Sequence, residues 1–278
     1  MAKQPALDHF IHELKALHIQ GAKQIAVSSL KFLRTFAKQK GFGKEFDSAC
    51  KKIEATRPTA VPLHNVIETV RKERNVKTFD RLLSQLNTAT KRIAALGPNV
   101  IRPGWTIMTH CHSGEALSFI KSAWASGRKI SVIATETEPV EQGIRTVREL
   151  RAAKIPVTLI TDSAAGFFMP QCDAVIVGCD ALRYKEGLIN KTGTYPMAVL
   201  ARAHKKPFYT VASTFKLDTR KKFEIEERPP KEVYRELHEL HGASVRNPAF
   251  DITPWNLITR IVTEKGVMTP GNIKRLLK

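Results

Sequence analysis

The sequence predicts an α/β fold in two parts: an all-helical N-terminal domain, residues 1–103, followed by a doubly wound, mostly parallel sheet domain, residues 104–278. Three observations carry this. Apolar residues recur every three to four positions through the first hundred residues, the texture changes after Pro103-Gly104, and short β-branched runs then alternate with amphipathic stretches.

In the N-terminal part, Leu7, Phe10, Ile11, Leu14, Leu17 and Ile19 space one helix. Ile25, Leu30, Phe32, Leu33 and Phe36 space a second after Gly21. Pro58 and Pro62 interrupt the pattern, and Val66–Thr78 and Phe79–Leu96 read as further helices closed by Gly97-Pro98. Beyond Gly104, strands are expected at Thr106–Thr109, Ile130–Ala134, Val157–Thr161, Ala174–Val177 and Phe208–Ala212. Between them, Leu117–Ser126, Ile144–Ala153 and Pro196–His204 are amphipathic. Strands that are apolar throughout, rather than alternating, mean a parallel sheet covered on both faces. Ile258–Thr263 is expected to add an edge strand, and the charged, proline-containing Leu217–His241 reads as an excursion or subunit contact.

With 278 residues and 42% apolar content the chain can bury a sizeable core. No window approaches about 18 uninterrupted apolar residues, so no membrane span is expected. Met1 to Leu14 lacks a separate apolar region, and the chain reads as cytoplasmic. Cys50, Cys111, Cys172 and Cys179 show no paired CxxC spacing, and neither they nor the histidines suggest a metal site. Cys50, Cys172 and Cys179 are expected as buried reduced thiols, and His238 and His241 as solvated. The net charge of +19 predicts attraction to anions. Its basic pairs sit in no nucleic-acid-binding motif, which makes nucleic acid a weak expectation and leaves phosphorylated metabolites or the counter-ions of an unusual cytoplasm.

Ligands of open parallel sheets bind outside the carboxyl ends of the strands, near the switch in strand order. That rule selects His110 to Gly114, Thr135 to Glu138, Asp162-Ser163, Gly178 to Asp180, Ser213 to Lys216, and the turn Asn190 to Thr194. Cys111 reads as opening a helix, where the macrodipole favours thiolate, with His110 and His112 placed to lower its pKa or relay a proton. Asp180 reads as a general acid. The two presumptive helix starts, Cys111-His112-Ser113-Gly114 and Asn190 to Thr194, suit phosphate, with Lys191 and Lys216 as point charges.

Several runs resemble a known superfamily: Thr106 to Ser113 (TIMTHCHS), Thr56 to Val61 (TRPTAV), Asn190 to Thr194 (NKTGT) and Arg246 to Pro254 (RNPAFDITP). They are similar to archaeal ribose 1,5-bisphosphate isomerases, methylthioribose 1-phosphate isomerases and the alpha, beta and delta regulatory subunits of translation initiation factor 2B. The resemblance covers nearly the whole chain. It implies a helical domain before a Rossmann-like one, and a homodimer or homohexamer. For the isomerases it implies a catalytic pair at Cys111 and Asp180, with Arg57, Asn190, Lys191 and Lys216 around the sugar phosphate and no cofactor. The phosphate-binding set also takes in Gln20, Gly21, His112, Ser113 and Glu138. Two positions depart from the isomerase pattern: Gln20 and Glu138 stand where arginines are expected. The initiation-factor alpha subunits are similar to this chain at those positions, at Asp162 to Met169 and at Lys206 to Ala212, yet usually lack the Cys and Asp. The resemblance therefore implies an aldose–ketose isomerase of a phosphorylated pentose, ribose 1,5-bisphosphate to ribulose 1,5-bisphosphate being the expected conversion. The alternative is a non-catalytic regulatory subunit binding a sugar phosphate or nucleotide together with a protein partner.

Overall fold

Helices α1 (Pro5–Lys15), α2 (Ala22–Lys40), α3 (Lys44–Thr56), α4 (Val61–Glu73) and α5 (Val76–Ala95) form the N-terminal region. The computed structural model describes every residue except 1–4, 17, 20 and 278, so the predicted roles of Leu17 and Gln20 lie outside the described residues. Contacts divide the chain into two compact units, Met1–Ala89 and Thr90–Lys278. In the first, α2 buries Ile25, Ala26, Ser29, Leu30, Leu33 and Ala37, the stripe that a 3.6-residue period dictates. Pro62 does not interrupt a helix. It sits in the first turn of α4, where its missing N–H has no partner to lose. The break between α4 and α5 falls earlier than predicted. Arg74 turns left-handed at φ 46°, and the Asn75 side chain accepts the Lys77 N–H at 2.9 Å.

In the second unit α6 (Gly97–Val100) leads to β1 (Thr106–Thr109), α7 (Gly114–Ala125), β2 (Ser131–Thr135), α8 (Gln142–Ala152), β3 (Val157–Ile160), α9 (Ala165–Phe168) and β4 (Ala174–Val177). Then come β5 (Ala181–Arg183), β6 (Gly187–Lys191), α10 (Thr194–Ala203), β7 (Phe208–Val211), β8 (Leu217–Asp218), β9 (Phe250–Thr253), β10 (Arg260–Thr263), β11 (Gly266–Met268) and α11 (Pro270–Leu276). Seven strands form one sheet in the order β11-β10-β7-β4-β1-β2-β3, every pair parallel except β10 with β11. The chain builds outward from β1 through β2 to β3, then crosses to β4 on the other side, so strand order reverses between β1 and β4.

Alternate strand residues go to opposite faces, as a pleat requires. Ile107, Val132, Ile176, Val211 and Val262 pack with Phe119 and Ile120 of α7 and Leu150 of α8. Met108, Ile133, Val175, Val177 and Ile261 pack with Met197, Ala198 and Ala201 of α10 and Ile273 of α11. Each fully buried Phe, Ile or Leu contributes about 1.5–3 kcal/mol through apolar area removed from water.

Two expectations need correction. The run Ile258–Thr263 supplies an interior strand: β10 lies between β7 and β11, because the polypeptide turns back at Glu264-Lys265 and adds β11 outside it. The stretch read as a turn from Asn190 begins inside a strand. Asn190 and Lys191 belong to β6, in a second sheet ordered β8-β5-β6-β9. There, Asn190 faces Asp251 and Lys191 faces Phe250 across an antiparallel pairing.

Candidate functional site

Strands β1 and β4 are parallel neighbours with Met108 opposite Val175, so the residues beyond their carboxyl ends, Cys111 and Asp180, share one edge of the sheet. A close approach brings these ends together. A Cβ on Gly178 would lie 2.4 Å from that of Ser113, so only glycine lets the end of β4 meet the start of α7.

Cys111 does not open a helix. It stands at φ 66°, and α7 begins at Gly114 with Ser113 as N-cap, the Ser113 hydroxyl accepting the Ala116 N–H at 3.3 Å. This left-handed backbone is costly for a side-chain-bearing residue and is held from three directions. Its N–H donates to Thr137 Oγ1 at 2.8 Å, its carbonyl accepts the Thr146 hydroxyl at 2.7 Å, and its thiol donates to Gln142 Oε1 at 3.3 Å. The expected helix-start thiolate is therefore corrected. Burial pushes the thiol up to about 12 and the Asp180 and Asp162 charges add to this, against the opposing pull of Lys191 and the His112 N–H.

The rings of both flanking histidines are engaged by other groups. His110 is buried and bonded to Thr135 Oγ1 at 2.7 Å and the Thr192 carbonyl at 2.9 Å, and burial lowers its pKa. His112 bonds Thr146 Oγ1 at 3.1 Å and lies 3.6 Å from Glu149, its pKa also lowered by burial. Asp162 is committed to the loop after β2, accepting the Thr137 and Glu138 N–H groups at 3.0 and 2.8 Å. Glu138 is exposed there, its carboxyl raised by desolvation and by Glu136, Glu141 and Asp162.

Of the expected phosphate ligands, Asn190 is buried and donates to Thr194 Oγ1 at 2.9 Å. The Lys191 ammonium sits 5.9 Å over the Phe250 ring. Lys216 is buried in an ion pair with Glu115 at 2.8 Å, and Asp180 is among the charges that raise its pKa. Gly21 and Arg57 belong to the helical unit, where buried Arg57 Nε and one terminal nitrogen have no hydrogen-bond partner.

The start of α10 is not open to an anion. Asp251 Oδ2 accepts the Gly193 and Tyr195 N–H groups at 2.8 and 2.9 Å, so a carboxylate fills the position assigned to phosphate. No spacing signal links residue 251 to a helix opening at 194, which is why the sequence missed it. Burial raises Asp251 to about 6 against the pull of those amides. With its pKa raised from 3.8, its contribution to stability is fullest in acid and is lost as pH rises through about 6. Asp251→Ala is expected to lower stability by about 0.5–2 kcal/mol, as loss of a cap does. Melting curves should show the larger loss on the acid side.

A family model described as the Initiation factor 2 subunit family matches residues 18–270. The chain belongs to the Initiation factor 2 subunit family. Within this family it is 38% identical to ribose 1,5-bisphosphate isomerase of Archaeoglobus fulgidus, over 93% of this chain and 88% of that protein. It is 37% identical to methylthioribose-1-phosphate isomerase of Acetivibrio thermocellus, over 94% and 86% respectively. Among solved structures of this family, the Pyrococcus horikoshii translation initiation factor eIF-2B matches with a TM-score of 0.87 at 26% identity, covering 97% of this chain and 99% of that one. Among the described residues no cluster of His, Cys, Asp and Glu is grouped to hold a metal ion, and no helix is long and apolar enough to cross a membrane.

Proposed function

We propose that the chain is an aldose–ketose isomerase of a phosphorylated pentose, converting ribose 1,5-bisphosphate to ribulose 1,5-bisphosphate. One observation carries this reading. Cys111 and Asp180 follow paired strands at the reversal of strand order, in a chain matched over most of its length by relatives named ribose 1,5-bisphosphate isomerase. On this reading the seven-stranded sheet is a doubly wound Rossmann-like layer with its ligand at the switch between β1 and β4. Four free cysteines fit the reducing cytoplasm, and the protein works as a homo-oligomer.

The proton movements balance without a metal or redox cofactor. Asp180 assists opening of the sugar ring. The Cys111 proton, held on Gln142 at rest, passes to Asp180 and leaves a thiolate facing a carboxylic acid. Asp180 gives its proton to the ring oxygen as the bond from C1 to that oxygen breaks, the phosphate staying on O1, and the thiolate takes the proton from C2, giving an enol phosphate. The thiol then returns its proton to C1 as Asp180 takes the proton from O2, and the ketose leaves. Lys191, Asn190 and the residues after Cys111 hold the phosphorylated sugar, while Lys216 acts from within its pair with Glu115. Purified protein incubated with ribose 1,5-bisphosphate should form the ketose, and absence of turnover on this and on pentose 1-phosphates sinks the reading.

A second reading rests on the 0.87 TM-score to an initiation factor 2B and on Glu138 at the rim. It makes the chain a regulatory subunit that binds a sugar phosphate or nucleotide and a protein partner. Saturable binding of ribose 1,5-bisphosphate without conversion is its signature.

A further inference from the structure

His110 has a role that its position beside Cys111 does not announce. Its ring is 2% exposed and reaches across three segments. A backbone carbonyl only accepts, so Nε2 carries the hydrogen donated to Thr192 at 2.9 Å. In a neutral ring Nδ1 is then bare and accepts the Thr135 hydroxyl at 2.7 Å. Thr137 Oγ1 lies 3.4 Å from the same nitrogen and also receives the Cys111 N–H at 2.8 Å. On the other side the ring presses on the turn after β6. A Cβ on Gly193, itself at φ 107°, would come within 2.7 Å of it. The imidazole thus fastens the end of β1, which carries Cys111, to the turn that follows Asn190 and Lys191.

We propose that His110, as the neutral Nε2–H tautomer, is a positioning residue that holds Cys111 and Lys191 in fixed register. This deepens the isomerase reading and rests on it, because the register matters only if thiol and ammonium serve one ligand. Lys191 acts electrostatically on both Cys111 and His110. Two charged groups face the ring: Asp162, 3.6 Å from Nδ1, and Lys191. Burial, and to a smaller extent Lys191, favour the neutral form, whereas the bond to the Thr192 carbonyl and the Asp162 charge oppose them. Protonation would put a hydrogen on Nδ1 and draw Asp162 off the Thr137 and Glu138 N–H groups, loosening the loop that holds Cys111.

The tautomer is read directly from nitrogen shifts of histidine-labelled protein, with the His110 signals assigned by their absence in His110→Gln. Nε2–H with bare Nδ1 at neutral pH is expected, and an Nδ1–H tautomer or an imidazolium there overturns the proposal. Register is read from iodoacetamide labelling of the peptide containing Cys111, which needs no turnover. His110→Phe removes both bonds and is expected to slow labelling at pH 8 at least threefold, while His110→Gln, which can still donate to Thr192, recovers part of the rate. Unchanged or faster labelling in folded His110→Phe overturns it. Should His110→Phe not fold, Gly193→Ala presses on the ring from the other side and is read the same way. If wild-type protein turns over no sugar phosphate while tautomer and labelling behave as stated, the isomerase reading has failed and the positioning role has not.

Discussion

Cys111→Ser is expected to lower aldose-to-ketose turnover by about 10²–10⁴-fold, the range for losing a positioned acid–base group, with little change in melting temperature. The substitution is chosen because everything around it survives. A serine hydroxyl can still donate to Gln142 Oε1, and the backbone at φ 66° keeps its bonds to Thr137 and Thr146. What changes is the acidity of the group and the ease with which it exchanges protons with carbon. The thiol is itself pushed up to about 12, so thiolate is scarce until a base takes its proton. Asp180 is that base in the proposed cycle, and its charge acts on the thiol. Asp180→Asn should therefore lose activity on the same scale. The double variant should lose little more than either single one, because the two act as a unit. Following ketose formation alongside thermal melting separates this from unfolding. Wild-type turnover in folded Cys111→Ser would remove the thiol from the mechanism.

The residues that sequence reading placed well are those whose signal is local. Thr106–Thr109 and Ala174–Val177 are apolar runs between turn residues, and they are β1 and β4 with the bounds read from the pattern. The strand-end rule then brought Cys111 and Asp180 to one edge without side-chain information. The second sheet was illegible for the opposite reason. β5 and β8 contain three and two residues, too short for any period, and β9 joins β6 from far along the chain. The same distance hid Asp251 at the start of α10 and Glu115 beneath Lys216. The misjudged state of Cys111 has a different origin. The sequence reads Cys111 as opening a helix, but the left-handed turn places the helix after Ser113, and burial dominates the thiol.

The largest structural effect is expected at Glu115 and Lys216. Both are nearly inaccessible, their charged atoms lie 2.8 Å apart, and Glu115 also accepts the Ser213 N–H at 3.3 Å. Burial works against each charge, yet the attraction between them prevails: Glu115 is held below its ordinary value and Lys216 above. Glu115→Gln or Lys216→Met leaves one charge buried without its partner, which costs about 3–5 kcal/mol. The double variant should recover most of that loss, since both charges are then gone and the volumes are kept. The pH dependence follows from the directions. The Glu115 contribution is present above its unfolded value of 4.5 and is lost as pH falls through the lowered folded value. The Lys216 contribution is present below 10.5 and is lost as pH rises through the raised one. Wild-type stability attributable to the pair should thus fall at both extremes, and the double variant should lack both slopes. Denaturant unfolding of the four proteins across pH measures this coupling. Single variants within about 0.5 kcal/mol of wild type, the range of ordinary surface changes, would mean that the pair is relaxed in solution and that Lys216 is free to meet a phosphate.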